Sequence, residues 1–352
     1  MASVKPIAKT KAKAGAASPR KRPLVIDFHT HMALPDVIAF SKGHVVDIEI
    51  PDKRGVSDAV SKAWDKRRQL INRKSTDPYY RLKNMDQMGV DIQVLTPSLV
   101  HQYTYWADPE ISLRMEQKTN NRVAEMIAVA PHRFVGLGGV PLQEPALAVA
   151  ELKRCMGELG FRGVQISSHA EQMELGDARL LPFWAEAQTL EATIYIHPAG
   201  ITNSRMRRFL AWNSLGQPME EAMAMSSLWF EGVLDAFPKL KICIAHGGGY
   251  LPFYPGRVDR NYREQAFTRI NMKKSPSRYM RENFWYDSCV YDLQMLEHLV
   301  QKVGPSRIVL GSDYPVGERD PAGFVLKARG LSAADKAGIL GGNAAKLLGL
   351  SI

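Results

Sequence analysis

Cysteine is scarce in this chain. Cys155, Cys243 and Cys289 are the only three in 352 residues, an odd number with no disulfide or metal-binding spacing. That excludes a disulfide-stapled scaffold and a thiolate zinc site. It suits a cytoplasmic protein with buried structural thiols. No apolar stretch reaches the roughly 18–20 residues that a membrane span needs. No glycine-rich dinucleotide fingerprint follows the first strand-like run, which weakens an open doubly wound sheet. No internal repeat and no second domain boundary stand out. Acidic residues are absent from residues 1–22, which hold seven basic ones (Lys5, Lys9, Lys11, Lys13, Arg20, Lys21 and Arg22).

That local absence accounts for most of the formal charge of +10, set by 46 basic and 36 acidic residues. Beyond residue 22 the chain carries 39 basic against 36 acidic residues, so no nucleic-acid surface is expected there. The Ala-, Lys- and Ser-rich stretch 1–22 reads as a disordered basic tail with nothing to pack. A solubilising extension fits it best. An acidic binding partner and a transit peptide are the alternatives, and the lack of an apolar core excludes a secretory signal.

What the chain does have is a series of short β-rich runs: Leu24–Phe28, Ile92–Thr96, Phe134–Val140, Gly163–Ser167, Thr193–His197, Lys241–Ala245, Phe284–Ser288 and Ile308–Gly311. Helical periodicity over Asp108–Ala130, Glu144–Leu159, Ala178–Thr189 and Leu293–Val303 alternates with them. Such alternation implies right-handed βαβ crossovers and a parallel sheet. Eight units predict an α/β fold of the (β/α)8 TIM-barrel type, one domain over residues 23–352. Residues 32–91 and 198–240 are too long for simple loops and read as insertions after strands 1 and 5. Insertions at a barrel's C-terminal face build or cover active sites. Met219 and Met223, four apart in the second insertion, suggest a helix packing its apolar face.

Four of the predicted strand ends carry metal-type ligands. Strand 1 ends in His29-Thr30-His31, whose alternate side chains point the same way. Strand 5 ends in His197-Pro198, strand 6 in His246-Gly247-Gly248-Gly249, and strand 8 in Gly311-Ser312-Asp313-Tyr314-Pro315. In a barrel these ends converge. Nitrogen and carboxylate ligands without thiolate suit Zn2+ first, then Mn2+, Co2+ or Fe2+. Three histidines and one aspartate leave a coordination position open, as a catalytic site needs. The glycine triplet would let backbone approach a ligand, or simply turn the chain into the next helix.

This set of motifs resembles the amidohydrolase superfamily, and within it the branch of metal-dependent decarboxylases typified by aminocarboxymuconate-semialdehyde decarboxylase. The resemblance runs from about residue 24 to the C-terminus. It includes Met85-Asp-Gln-Met-Gly-Val-Asp-Ile-Gln-Val94, Gly163-Val-Gln-Ile166, Leu240-Lys-Ile-Cys243 and Gly341-Gly-Asn-Ala-Ala345. It implies His29, His31, His197 and Asp313 as ligands of one zinc, and His246 as an acid/base residue beside it. It also implies a substrate-gripping arginine eleven residues beyond that histidine, serving the neighbouring subunit of a homodimer or higher homo-oligomer. Arg257 stands there, and its planar fork suits a carboxylate.

Some positions depart from the resemblance. Where subgroups carry a bridging lysine, this chain reads Ser167-Ser168-His169, which points to one metal. After the strand-5 His-Pro it reads Ala199-Gly200 where the typical decarboxylase has Trp-Asp. Phe209 stands in for an expected tryptophan, with Trp212 nearby. Arg67, Arg68 and Arg73 are candidates for a second substrate arginine. The reading is a zinc-dependent, non-oxidative decarboxylase of an unsaturated or aromatic carboxylic acid, with His246 and Asp313 catalytic and Arg257, Phe209, Trp212 and Arg73 binding substrate. A metal-dependent hydrolase or hydratase is the alternative.

Overall fold

In the computed structural model, residues 22–41, 55–98, 104–199, 204–206 and 208–351 are described. Residues 1–21 of the basic stretch 1–22 lie outside them. Arg22, its last member, pairs with Asp91 at 2.8 Å, and Asp91 also accepts from the Val25 backbone N–H.

Eight parallel strands form the frame: β1 Ile26–Met32, β2 Ile92–Pro97, β3 Phe134–Gly136, β4 Gly163–Ile166, β5 Thr193–Ile196, β6 Lys241–Ile244, β7 Phe284–Asp287 and β8, split into Ile308–Val309 and Gly311–Tyr314. One sheet has the order β8-β1-β2-β3 and the other β8-β7-β6-β5-β4. They join into a ring. Leu310 O accepts from Phe28 N–H at 2.8 Å, Gly163 O from Gly138 N–H at 3.0 Å, and Gly138 O from Gln165 N–H at 2.7 Å. The expected barrel is therefore present, with a small antiparallel hairpin, His169–Ala170 with Met173–Glu174, added after β4.

Alternation along the strands gives two apolar layers. Ile26, Phe28, Val94, Leu137, Tyr195, Cys243, Ala245 and Val309 cluster with Ala344 and Leu347 of the last helix. They form a packed barrel interior closed at one end. Neighbouring side chains such as Ile194, Ile196, Ile242, Ile244 and Phe284 join the outer layer beneath the helices. All three cysteines are buried and free, as their scarcity predicts.

The helices start where local chemistry allows. Asp108 caps Pro109–Val129 by accepting from Glu110 N–H, and Asp292 caps Leu293–Val303 by accepting from Gln294 and Met295 N–H groups. The first insertion contributes Asp58–Thr76 and Pro78–Met88. Asp77 caps the latter by accepting from Tyr79 and Tyr80 N–H, with proline in its first turn.

The second insertion does contain a helix, Gln217–Phe230, but its inward face differs from expectation. Met219 and Met223 are 39% and 47% exposed, while Glu220, Glu221, Ala224, Leu228 and Trp229 are buried. Trp229 stacks over Tyr279 and meets Phe284 edge-on, which anchors the helix to β7. The two methionines face outward because the inner face has a polar task described below. Among the described residues no helix is long and apolar enough to cross a membrane.

Candidate metal centre

β1 extends further than its apolar run. It continues through His29 and His31 to Met32, and every residue of it is buried. Its pairing register shifts between Asp27 and Thr30 against β2, and between His29 and Thr30 against β8. Such irregularities re-aim side chains. The imidazoles of His29 and His31 consequently reach the same space as His197, beyond the end of β5, and Asp313 on β8. The ligand atoms of these four residues all lie within 4.8 Å of one another.

His29 Nε2 lies 3.0 Å from His31 Nε2 and 3.4 Å from Asp313 Oδ1, which is 3.3 Å from His31 Nε2. The opposite ring nitrogens are already committed. His29 Nδ1–H donates to Asp287 Oδ2 at 2.6 Å, and His31 Nδ1–H donates to Pro97 O at 3.3 Å. Two nitrogen lone pairs and a carboxylate oxygen thus face one another at close range, which is repulsive unless a cation lies among them. Ligands about 2.0–2.2 Å from a shared metal sit about 3.0 Å apart at right angles and about 3.4 Å apart at tetrahedral angles, which brackets the spacing found and leaves room for a further coordination position.

The protonation states agree with that fit. Burial holds the His29 imidazole below its usual range. Burial and the neighbouring imidazoles hold His197 well below it, so both rings are neutral, as metal ligation requires. Asp313 is held low despite burial, chiefly by His29 and His31. The donor set therefore fits a divalent metal.

His246 stands beside this set and is not one of its four donors. Its ring centroid lies 5.1 Å from that of His29 and 5.0 Å from that of His197. Its Nδ1–H donates to Glu221 Oε1 at 2.5 Å. Burial would lower its pKa, but the Glu221 carboxylate outweighs burial and lifts it to about 9. This is the polar task of helix Gln217–Phe230. The glycine triplet serves the same packing. A Cβ at Gly249 would lie 2.2 Å from Pro218 O and 2.9 Å from Glu221 Oε2, and one at Gly248 would meet the Tyr286 ring.

Several supporting residues escaped the sequence reading. Asp287, at the end of β7, accepts from His29, from the Tyr195 hydroxyl at 3.0 Å and from the Gly247 and Cys289 N–H groups. Burial would raise its pKa, yet His29, then His246 and the Cys289 N–H, hold it at about 2. An aspartate ending a strand-like run was the available signal. Glu221 offered none, since nothing in its helix marks which face turns inward. Asp27 accepts from Ser312 N–H and Oγ–H at 2.9 and 2.6 Å, tying β1 to the residue before Asp313. Arg81, fully buried, donates to Thr30, Gln93 and the His31 carbonyl.

The expected substrate residues are placed less centrally. Arg257 is exposed in the first turn of helix Gly256–Glu264. Phe209 is 86% exposed with φ 58°, and Trp212 is half-buried at the start of a π-helical turn, Trp212–Gly216. Arg73 is engaged elsewhere: its guanidinium covers the Tyr80 ring at 4.3 Å and its Nε lies 3.9 Å from Asp77.

A ring of eight parallel strands with three imidazoles and one carboxylate converging beyond their C-terminal ends defines a metal-dependent α/β-barrel enzyme. Residues 26–350 match the amidohydrolase family, and the chain belongs to it. It is 38% identical over 280 residues to 2-amino-3-carboxymuconate-6-semialdehyde decarboxylase of Dictyostelium discoideum, covering 78% of this chain and 77% of that one. It is 28% identical over 341 residues to gamma-resorcylate decarboxylase of Polaromonas sp., covering 93% and 98%. A solved 2,6-dihydroxybenzoate decarboxylase with bound 2,6-dihydroxybenzoate superimposes with a TM-score of 0.80 at 25% identity, covering 94% of this chain and 100% of that one. A dihydroxybenzoic acid decarboxylase from Polaromonas with bound manganese and 2-nitroresorcinol gives 0.79 at 27%, covering 93% and 97%.

Proposed function

We propose that this protein is a metal-dependent, non-oxidative carboxy-lyase that removes CO2 from an unsaturated or aromatic carboxylic acid. The resident metal is zinc, held by His29, His31, His197 and Asp313. When bound, the metal supplies electrostatic stabilisation for negative charge developing in the substrate. The carboxylate leaves as CO2, and the electron pair of the broken carbon–carbon bond stays on the substrate carbon. His246 delivers a proton to that carbon and is reprotonated from solvent. Glu221 keeps it charged and oriented, and Asp313 assists the proton's movement. Arg257 grips a substrate carboxylate in the neighbouring protomer of a homodimer, with Phe209 and Trp212 lining the substrate's approach. We place the enzyme in the cytoplasm, where its three thiols stay reduced.

The observation that carries this reading is the His246–Glu221 pair. A hydrolase or hydratase operating from this centre would need a neutral base at neutral pH. His246 instead donates its Nδ1–H to the buried Glu221 carboxylate at 2.5 Å, a partner that favours the protonated imidazole with a proton to give. The test is a screen of muconate-type and hydroxybenzoic acids on zinc-loaded enzyme in H218O, following CO2 and product mass. CO2 release without incorporation of solvent oxygen is the expected result. His246→Ala should retain zinc and lose about 10²–10⁴ in turnover. Full turnover with zinc retained would remove His246 from proton transfer.

A further inference from the structure

A cavity of about 270 Å3, with none of the four metal-type ligands in its lining, lies between the two helices of the first insertion and the loop that follows β8. Three cations line it. Arg67 and Lys74 come from helix Asp58–Thr76, and Arg319 from the loop. Arg67 reaches across the cavity to the Val316 carbonyl at 3.4 Å. Lys74 and Arg319 form no ion pair among the described residues. The single lining carboxylate, Glu318, is turned to its own loop and accepts from Asp320 N–H at 2.9 Å.

Tyr314 forms the floor. It is 3% exposed, its ring lies against Arg81 at 4.6 Å and Lys74 at 5.6 Å, and its hydroxyl has no hydrogen-bond partner among the described residues. A buried hydroxyl left without a partner is costly and unusual. Three cations lining the cavity with one carboxylate turned to its own loop leave it with a net charge of about +2, and concave walls focus that potential.

We propose that this cavity is a binding site for a small dianion of the phosphate class, either inorganic phosphate or a phosphate monoester. Arg67, Lys74 and Arg319 would supply the charge, and the Tyr314 hydroxyl a neutral hydrogen bond. Lysine and arginine are the side chains that suit such an anion, as point charge and as planar fork. The crowding is already felt within the cluster. Burial first, then Arg319 and Arg67, hold the Lys74 ammonium below its usual pKa. A bound dianion relieves that repulsion. Tyr314, the floor of the cavity, directly follows Asp313 on β8, so occupancy and the metal centre share one segment of chain.

The test is calorimetric titration of metal-loaded full-length enzyme with inorganic phosphate, and separately with glycerol 1-phosphate, at fixed ionic strength. One saturable site is expected for at least one of the two, and their affinity ratio tells free phosphate from ester. Arg319→Gln, at an exposed position, should weaken binding at least fivefold, and Lys74→Met likewise, with bound metal and melting temperature checked for each. Absence of saturable binding for both anions overturns the proposal. So does weakening of less than fivefold in Arg319→Gln, since phosphate would then be binding elsewhere, for instance at the metal centre.

Discussion

Asp287 shows how much of the site rests on a residue that touches no metal. It fixes the His29 tautomer so that Nε2 faces His31 and Asp313, and it is itself oriented by Tyr195 and two backbone N–H groups. Removing such an orienting carboxylate costs about 10–100-fold in metal affinity in comparable sites. Asp287→Asn keeps the size and loses the charge, so its amide can no longer accept the His29 proton with the same strength. We expect metal loss on dialysis against a graded series of chelator concentrations to occur at least tenfold earlier than in the parent. Unchanged retention would mean that the tautomer is set by other contacts. At this scale the sequence was most legible where a ligand type recurred at strand ends, as with His29, His31, His197 and Asp313. It was silent where the partner came from a helix. The inward face of Gln217–Phe230 is selected by tertiary packing of Trp229 and by His246, and the apolar spacing of Met219 and Met223 pointed the wrong way.

Between elements, the helix Pro109–Val129 packs against the chain just past β3 through a carboxylic acid instead of an aliphatic residue. Glu116 is fully buried. Its Oε1 accepts from Thr104 Oγ–H at 2.7 Å, and its Oε2 lies where a Cβ at Gly139 would intrude, at 2.0 Å. Burial, aided by Glu151, raises its pKa from 4.5 to about 8. The sign of the linkage follows. Between these values the folded protein holds this proton and the unfolded chain does not. Its contribution therefore falls as pH rises through that window, by up to about 1.4 kcal/mol per pH unit, and levels off above pH 8. Glu116→Gln removes the titration. Relative to the parent with the same metal loading, the variant should gain on the order of a few kcal/mol in urea stability between pH 5.5 and pH 8.5. A pH-independent difference would place the buried proton elsewhere. Element boundaries themselves were mostly readable from caps and breakers. Leu293–Val303 agrees at both ends, and Asp108–Ala130 overshoots by the cap at each end. β1 and β8 run longer than their apolar patterns because polar ligands continue the strands.

At the scale of the whole molecule, the order of the β units, the closed ring and the family were all legible. Local pattern repeats eight times, and the crossover rule leaves few ways to arrange it. What local pattern cannot carry is how far-apart segments are held in register at the mouth of the barrel. His29 and His31 lie in β1, His197 beyond β5 and Asp313 in β8, so the outermost metal-type ligands stand 284 positions apart in the chain (313 − 29). Asp27 on Ser312 ties β1 to β8, and Arg81 on Thr30, the His31 carbonyl and Gln93 ties β1 to β2. A cation in this set would be bound by the folded barrel and not by the unfolded chain, whose ligands are dispersed. Mass action then makes metal part of the folding free energy, about 4 kcal/mol when free metal exceeds its dissociation constant a thousandfold. We expect exhaustive chelation to lower the melting temperature by several degrees and stoichiometric zinc to restore it. The Asp313→Asn variant should respond much less to either treatment. A melting temperature indifferent to chelator in the parent would mean that closure of the barrel is complete without the ion, and that the four ligands are held by the Asp27, Asp287 and Arg81 contacts alone.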